Sequence, residues 1–375
     1  MTTNTPPKIA FANSLRGFAA LCVVVYHYGF IFWHERVITG LLVNAPVLDG
    51  SRVPTPQYLQ WVAELPFDLG AFGVALFFLI SGFVIPYAFI STTRVGFAIG
   101  RIFRILPPYA IGFTCTLVVV YLSGEFFQRP FAYEVSAVVA HYFPGLQDLA
   151  LTRGIDGIIW TLNIEVKFYV VCVVIAGWLA SGNLRAFIAP LVLTAVAWVL
   201  IPVTATVGGT VAARATSLYL AIQYIDFMFI GVAFNYLLRG ALSALGASVL
   251  TVALYAGMTA IWWRAAPVLF DREWAYAAAL LVFATAFMLR ESAMFRSSAL
   301  MRFLAEISYP LYVVHGVLGY VVIRVLLELG WDPAVAIAAT FGGVICLATA
   351  IHFGIERPSH RMGKSIARRF GRACR

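Results

Sequence analysis

Residues 13–33 read NSLRGFAALCVVVYHYGFIFW, a stretch long and apolar enough to cross a lipid bilayer as one helix. Arg16 lies at one mouth of this apolar run and His27 lies far inside it. The step of about eleven residues between them rises roughly 16 Å and closes about three helical turns, so both side chains are expected on one face. Ionisable groups inside a membrane are costly and usually face the bundle interior. His27 is therefore either a functional group or a neutral histidine that bonds a neighbouring helix.

The composition places this helix in a polytopic membrane protein. Hydrophobic residues make up 62% of the 375 residues and charged residues only 11%, whereas soluble domains carry about 25% charged residues. Apolar runs of membrane-spanning length fall near 14–34, 70–90, 107–124, 158–180, 186–206, 215–238, 244–263, 274–290, 309–328 and 334–354. The predicted fold class is an all-α integral membrane protein of about ten transmembrane helices. We expect a single domain over residues 1–375, with spans between about 14 and 354 and a basic cytoplasmic tail at 355–375.

The distribution of positive charge predicts the orientation. If the N-terminus is cytoplasmic, most of the 26 Lys and Arg lie on the cytoplasmic side, including Arg94, Arg296 and those of the tail. Cytoplasmic loops of membrane proteins carry this excess. Both termini are thus expected inside the cell, and the long segments 35–69 and 125–157 outside it.

The same charge pattern and the cysteines exclude two other classes of function. The net charge of +9 comes from cations dispersed between apolar spans and gathered in the tail, which membrane orientation explains better than nucleic-acid binding. The five cysteines are scattered without the spacing of metal ligands or of a disulfide framework. We therefore expect no nucleic-acid partner and no metal site.

The segment GRIFRILPPY carries Arg101 and Arg104 three residues apart, on one face of a helix. Pro107 and Pro108 suit the first turn of the next span. The two arginines either anchor the protein at the cytoplasmic surface or, together with Arg16, form a fork-shaped site for phosphate oxygens.

The fourth predicted span opens with IIWTLNIEVKFYVV, in which Glu165 and Tyr169 share a face and Lys167 points away from them. Glu165 lies near the external end of the span. It is a candidate to orient or deprotonate a sugar hydroxyl, or else a structural partner of a cation on another helix.

Two further spans hold polar candidates with weaker signals. The segment ISYPLYVVHG places Ser308 and His315 close to one face of the ninth predicted span, with Tyr312 nearby. Asp226 is a lone acid on the sixth. Each of these side chains could belong to a polar site or be a packing residue with a satisfied hydrogen bond.

Six short motifs in order resemble the membrane-bound acyltransferase-3 family. They are SLRGFAALCVVVYHYG (14–29), GVALFFLISGFVI (73–85), the paired arginines with ILPPY (101–109), WTLNIEVKFY (160–169), ISYPLYVVH (307–315) and IERP (355–358). Each motif alone is weak, but their order along the chain is specific. One departure is Ala75, where many members have an acid. The role of that acid is either filled here by Asp68 or not needed.

The resemblance implies transfer of an acyl group, commonly acetyl, from cytoplasmic acyl-coenzyme A to a hydroxyl of a carbohydrate or glycolipid. It implies a multi-pass protein of the bacterial inner membrane, with the lipid bilayer around it, acyl-CoA as co-substrate and no tightly bound cofactor. The roles it suggests are donor binding for Arg16, Arg101 and Arg104, catalysis for His27 and Glu165, and acceptor-side contact for Tyr169. Trp160, Asp226, Ser308 and His315 are expected on the acceptor side or as supporting residues.

Two readings from other classes remain open. A secondary transporter also has many spans and buried ionisable groups, but such proteins usually show internal repeats, and none is visible here. A non-catalytic membrane partner of glycan export would keep the fold without breaking a thioester. Within the enzyme reading, His27 is either a general base or a nucleophile that carries the acyl group.

Overall fold

The structure is a computed structural model that describes residues 7–265, 272–292 and 299–372. Within these residues it is all-helical, without β-strands, so the predicted all-α membrane fold is confirmed. The main helices are α1 (Pro7–Tyr26), α2 (Leu69–Ser91), α3 (Arg94–Phe126), α4 (Ile159–Val174), α5 (Ile188–Val207), α6 (Gly209–Leu238), α7 (Ala244–Ala265), α8 (Glu273–Met288), α9 (Ala299–Val314), α10 (Val317–Glu328), α11 (Pro333–Ile351) and α12 (Arg357–Arg372). Short helices lie between them at Arg36–Leu42, Gln60–Ala63, Val135–His141 and Ala176–Ser181.

Seven helices in the described part of the chain are long and apolar enough to cross a membrane, and an eighth is added if α9 and α10 form one bent span. The predicted spans at 158–180 and 274–290 correspond to the shorter helices α4 and α8. The count of ten and the orientation of the termini therefore stay predictions. Arg296, one of the cations that argue for the orientation, lies outside the described residues.

Helix α1 changes its winding at His27. It is regular from Pro7 to Tyr26 and then makes a π-helical turn over His27–Ile31. A π turn adds a residue to the ordinary helical turn and is often found at functional sites. The regular α-helical rise and turn that were assumed between Arg16 and His27 thus hold as far as Tyr26, and the π-helical turn begins at His27.

Helices α2 and α6 form the tightest contact in the core. A Cβ atom at Gly82 would lie 1.8 Å from the Met228 carbonyl oxygen, and one at Gly231 would lie 2.2 Å from the Leu79 carbonyl oxygen. Only glycine lets the two backbones approach this closely, which is a common way to join helices in a membrane. Helix α2 also packs against α1 and α8, so it is a central element of the bundle.

Helix α3 begins earlier than expected. Thr93 caps it by accepting a hydrogen bond from the Gly96 backbone N–H at 3.1 Å. The helix then continues through Pro107 and Pro108, so the prediction of a new helix starting at these prolines is wrong. Prolines inside a membrane helix are tolerated where neighbouring groups re-satisfy the disturbed backbone. Helix α9 contacts α3 beside these prolines, where the Tyr309 hydroxyl donates to the carbonyl oxygen of Ile105 at 2.9 Å.

The predicted ninth span at 309–328 is not one straight helix but a bent pair of helices. Helices α9 and α10 meet at an angle of 71°. At the break, the Tyr28 hydroxyl donates to the His315 carbonyl oxygen at 2.8 Å, which satisfies a backbone group freed by the bend. The Tyr28 phenol fits here because Gly319 has no side chain; a Cβ there would lie 2.0 Å from the hydroxyl.

The basic segment after residue 354 is a packed helix rather than a simple tail. Helix α11 passes through a π-helical turn, His352–Glu356, into α12, which packs along α3. A Cβ at Gly363 would lie 2.5 Å from the Cβ of Phe103, so this contact is close. Helix α12 thereby brings its cations beside the paired arginines of α3.

Candidate active site

The first cavity of the site, about 240 Å³, is lined by three of the predicted donor residues. We call it the arginine cavity after Arg16 from α1 and Arg101 and Arg104 from α3. Thr93 starts α3 early enough to place both of its arginines on a continuous helix that faces α1. The three cations that the sequence analysis grouped as a donor site thus line one cavity, and their role in donor binding stays a prediction.

Glu165 and Tyr169 line the same arginine cavity. The Tyr169 hydroxyl donates to Glu165 Oε1 at 2.5 Å, and the Ser81 hydroxyl donates to the same oxygen at 3.2 Å. The Arg101 guanidinium lies 5.1 Å from the Tyr169 ring centre, within cation–π distance. The carboxylate is therefore held rigidly among the arginines, and not at an external mouth as its position in the span suggested.

Positive charge dominates the arginine cavity. Among its lining residues Glu165 is the acid that faces Arg16, Arg101 and Arg104. Lys167 points elsewhere, as predicted, and pairs with Asp148 at 2.6 Å. Guanidinium groups in a confined site bind phosphate oxygens through pairs of hydrogen bonds, so the cavity has the charge of an anion site.

The second cavity, about 280 Å³, is lined by His27, and we call it the histidine cavity. Trp160 lines it together with Asp68, Asp156 and Arg272. Asp68 caps α2 by accepting from the Ala71 N–H at 2.7 Å and pairs with Arg272 at 3.6 Å. Aromatic and carboxylate groups of this kind are typical of a site for a polar, hydroxyl-bearing molecule.

His27 has one ring nitrogen engaged by the protein. Its Nδ1 and the Tyr320 hydroxyl are 2.5 Å apart, and the two rings are stacked with centres 5.6 Å apart. Among the described residues, Nε2 makes no hydrogen bond. This nitrogen is left for a ligand or a reacting group.

His315 lies beside His27, with ring centres 4.6 Å apart. Its Nδ1 is 2.7 Å from the Tyr312 carbonyl oxygen. Because a carbonyl oxygen only accepts hydrogen bonds, the proton of neutral His315 is on Nδ1 and Nε2 is the acceptor. That Nε2 is buried without a hydrogen-bond partner among the described residues, which is unusual for a packing histidine.

The two cavities meet at a thin wall. Val74 of α2 and Tyr312 of α9 line both of them. The Tyr312 and Thr161 hydroxyls are 2.9 Å apart, and the ring of Phe77 packs edge-on against Tyr312 at 5.7 Å. Val74 and Tyr312 therefore lie between the two cavities, with the arginines on one side and His27 on the other.

The remaining predicted residues divide between site and core. Ser308 lines the arginine cavity and donates to the Ala305 carbonyl oxygen at 2.8 Å. Asp226 lies outside both cavities; it is fully buried and accepts a hydrogen bond from Thr194 at 2.7 Å. The expectation that Asp226 belongs to the acceptor side is therefore not supported by its position. Ala75 is fully buried, whereas Asp68 does reach the histidine cavity.

Sequence reasoning missed several polar residues of the histidine cavity, among them Tyr320 and Asp156. Nothing in the sequence marked Tyr320 as a site residue, because a tyrosine in an apolar run usually packs in the core. Asp156 caps α4: its Oδ1 accepts from the Ile158 and Ile159 N–H groups at 3.0 Å each, and its Oδ2 accepts from Tyr109 at 2.7 Å. An acid directly before an apolar run is an N-cap signal that could have pointed to it.

Fold and cavities together define a multi-pass membrane protein with a buried polar site that runs along its first helix. Its family follows from the comparison with family models. The chain belongs to the acyltransferase-3 family, because the Acyl_transf_3 model, described as an acyltransferase domain, matches residues 9–353. It is therefore a membrane acyltransferase, and the resemblance seen in the six motifs is confirmed. No curated protein and no solved structure matches the chain.

Proposed function

We propose that this acyltransferase moves an acyl group, most simply acetyl, from acyl-coenzyme A to a hydroxyl of a carbohydrate or glycolipid. One observation carries the proposal: a cationic cavity and a histidine cavity adjoin each other at Val74 and Tyr312, which line both of them. A donor with phosphates at one end and a thioester at the other fits that arrangement. The bilayer in question is the bacterial inner membrane, with the arginine cavity on its cytoplasmic side, as the charge bias favours.

In the proposed donor complex, Arg16, Arg101 and Arg104 bind phosphate oxygens of coenzyme A. The pantetheine arm extends along α1 toward Val74 and Tyr312, where the thioester meets the histidine cavity. The distance suits the donor, since about eleven helical residues span roughly 16 Å. The acyl-CoA is a co-substrate, and the proposal needs neither a tightly bound cofactor nor a metal.

His27 is the proposed catalytic residue. With Nδ1–H donating to the Tyr320 oxygen, the lone pair of neutral His27 lies on Nε2. As general base, Nε2 takes the proton of the acceptor hydroxyl while its oxygen bonds to the thioester carbon. The C–S bond then breaks, and the coenzyme A thiolate leaves and takes up that proton. In the alternative, Nε2 itself bonds to the acyl carbon and passes the acyl group to the hydroxyl in a second step.

Glu165 has a proposed role different from the one its sequence position suggested. It lies among the arginines, held by Tyr169 and Ser81. In that place a carboxylate orients the guanidinium groups of the donor site. The acceptor sugar instead enters the histidine cavity, where Trp160 offers a flat apolar face and Asp68 and Asp156 offer hydrogen-bond acceptors. Trp160 keeps its predicted acceptor-side role, and His315 supports His27 from the side.

The test separates binding from chemistry on one preparation. Purified wild type, His27→Asn and a control, His34→Asn, are assayed for coenzyme A binding and for release of free thiol from acetyl-CoA with an acceptor extract present. His34 is exposed and lines neither cavity. We expect His27→Asn to bind coenzyme A but to release thiol at least about 100-fold more slowly, since acid–base catalysis contributes about 10²–10⁴-fold.

The opposite results are equally clear. If His27→Asn bound donor and turned over like the wild type, the catalytic assignment would be wrong. Substrate counterflow in vesicles without any thiol release by the wild type would favour a transporter and overturn the proposal as a whole.

A further inference from the structure

A third cavity, about 660 Å³, lies between α3 and α12, and we call it the tail cavity. Its cationic lining comes from two elements that are distant in sequence. Arg101 and Arg104 belong to α3, and His360, Lys364 and Arg368 belong to α12. The last three are four residues apart and therefore form one stripe on the helix.

The tail cavity adjoins the arginine cavity. Arg101 and Arg104 line both of them, so the two spaces share a wall of guanidinium groups. Among the residues that line the tail cavity in the described chain, there is no Asp or Glu. The nearby acid Glu356 is already bonded to His352, at 2.7 Å. The cavity thus concentrates positive charge that its own residues leave uncompensated.

Helix α12 is held in place by packing, and not by these charges. Gly363 contacts Phe103, and on the same side Ala367 lies close to Gly96, where an added Cβ would come within 3.4 Å of the Ala367 carbonyl oxygen. A second observation points to a ligand: Nδ1 of His360 is buried without a hydrogen-bond partner among the described residues. Buried polar atoms of this kind usually have a partner, which a bound molecule would supply.

We propose that α12 completes the donor site by binding the 3′-phosphate of coenzyme A through Lys364 and Arg368. The inference rests on the proposed function and extends it to residues outside the motifs. The covalent order of coenzyme A is thiol, pantetheine, diphosphate and 3′-phosphorylated adenosine. With the thioester at Val74 and Tyr312 and the diphosphate at Arg101 and Arg104, the 3′-phosphate is the next group outward, in the tail cavity.

The experiment compares two double variants with the same loss of charge on the same helix. Lys364→Gln/Arg368→Gln removes cations that line the tail cavity, and Arg361→Gln/Arg369→Gln removes exposed cations of α12 that do not. Each is purified as the full chain and titrated with coenzyme A and with dephospho-coenzyme A, which lacks the 3′-phosphate.

We expect the cavity variant to bind coenzyme A at least about tenfold more weakly than the wild type, because charge-assisted contacts to phosphate are lost. Its binding of dephospho-coenzyme A should change much less. The surface variant should bind both ligands like the wild type. Equal affinities in the wild type and the cavity variant, or an equal loss in both variants, would overturn the inference.

The design also separates this inference from the function on which it rests. If the wild type failed to bind either ligand, the proposed donor itself would be wrong. If the cavity variant kept its affinity for coenzyme A but lost binding to vesicles containing anionic phospholipid, the cations would serve lipid headgroups, and only the role of α12 in donor binding would be overturned.

Discussion

His27 and Tyr320 form the closest polar contact of the histidine cavity. The hydrogen bond holds the ring in place. In the proposed mechanism the Tyr320 oxygen accepts from Nδ1–H, the tautomer that leaves Nε2 unprotonated. In Tyr320→Phe the stacked ring remains and only the hydroxyl is lost. We expect the maximal rate of thiol release to fall about tenfold, the value of one hydrogen bond, with an unchanged Michaelis constant for the donor.

The control for this prediction is Tyr121→Phe, because Tyr121 is exposed and lines no cavity described above. The deciding measurement compares the change in the maximal rate per folded molecule with the change in the Michaelis constant for the donor. A merely structural role for Tyr320 would lower the amount of folded protein without changing the rate per folded molecule, and that outcome would contradict the prediction.

The short helix Val135–His141 carries a histidine that reports on local stability. His141 is fully buried, its Nδ1 bonds the Ala137 carbonyl oxygen at 2.9 Å, and its Nε2 accepts from the Ile155 N–H at 2.9 Å. Burial lowers the pKa of His141, and the nearby Asp156 carboxylate offsets this in part. The folded segment therefore holds a neutral imidazole that joins two parts of residues 135–157.

The sign of the pH dependence follows from that lowered pKa. When the segment opens, His141 regains a pKa of about 6.5 and binds a proton that the folded segment does not. The opening free energy should be constant above about pH 7 and should fall as the pH drops below about 6.5. Amide hydrogen exchange of residues 135–157 at pH 7.5 and 5.5, corrected for intrinsic rates, measures it.

His141→Gln serves as the reference for this measurement. Glutamine can still accept from Ile155 but does not titrate, so its exchange should show no such step between the two pH values. An equal step in the wild type and in the variant would assign the effect to another group.

Local packing decided which helices the sequence could predict. Average hydropathy was sufficient to predict most of the helices, because nearly every residue of a span contributes to that average. The break at Gly316 is stabilised by a contact from Tyr28, and α3 is contacted beside Pro107 by Tyr309; both contacts come from distant parts of the chain. The same holds for the site: the paired arginines share one helix and were predicted together, whereas the meeting of Tyr320 and His27 depends on the bend between α9 and α10.

Across the whole molecule, the cavities are arranged along one direction. The tail cavity and the arginine cavity share Arg101 and Arg104, and the histidine cavity follows beyond Val74 and Tyr312. If the donor is cytoplasmic acyl-CoA, as proposed, the end of the protein that carries α12 has to face the cytoplasm. We therefore expect Ser51→Cys and Ser136→Cys, in a background without other cysteines, to react with a membrane-impermeant maleimide on intact cells.

Ser365→Cys on α12 is the matched residue at the other end and should react only after the cells are opened. All three serines are exposed, and serine and cysteine are similar in size. Labelling of Ser365→Cys on intact cells, with Ser51→Cys protected, would invert the orientation and remove coenzyme A from the reach of the arginines.

The wall of Val74 and Tyr312 also bears on energy conservation in the cell. Under the proposed function the protein lies in a bacterial inner membrane, which sustains a proton gradient, and a water-filled path between the two cavities would dissipate that gradient. An acyl group has to reach the wall while protons and ions do not cross it. Val74 and Tyr312 must then keep ions from crossing and still let the acyl group approach His27. Both conditions are met if the pantetheine arm of the bound donor fills the space between the two cavities. Under the proposed function, the bulk of Tyr312 therefore serves the seal between the two cavities as well as the approach of the acyl group.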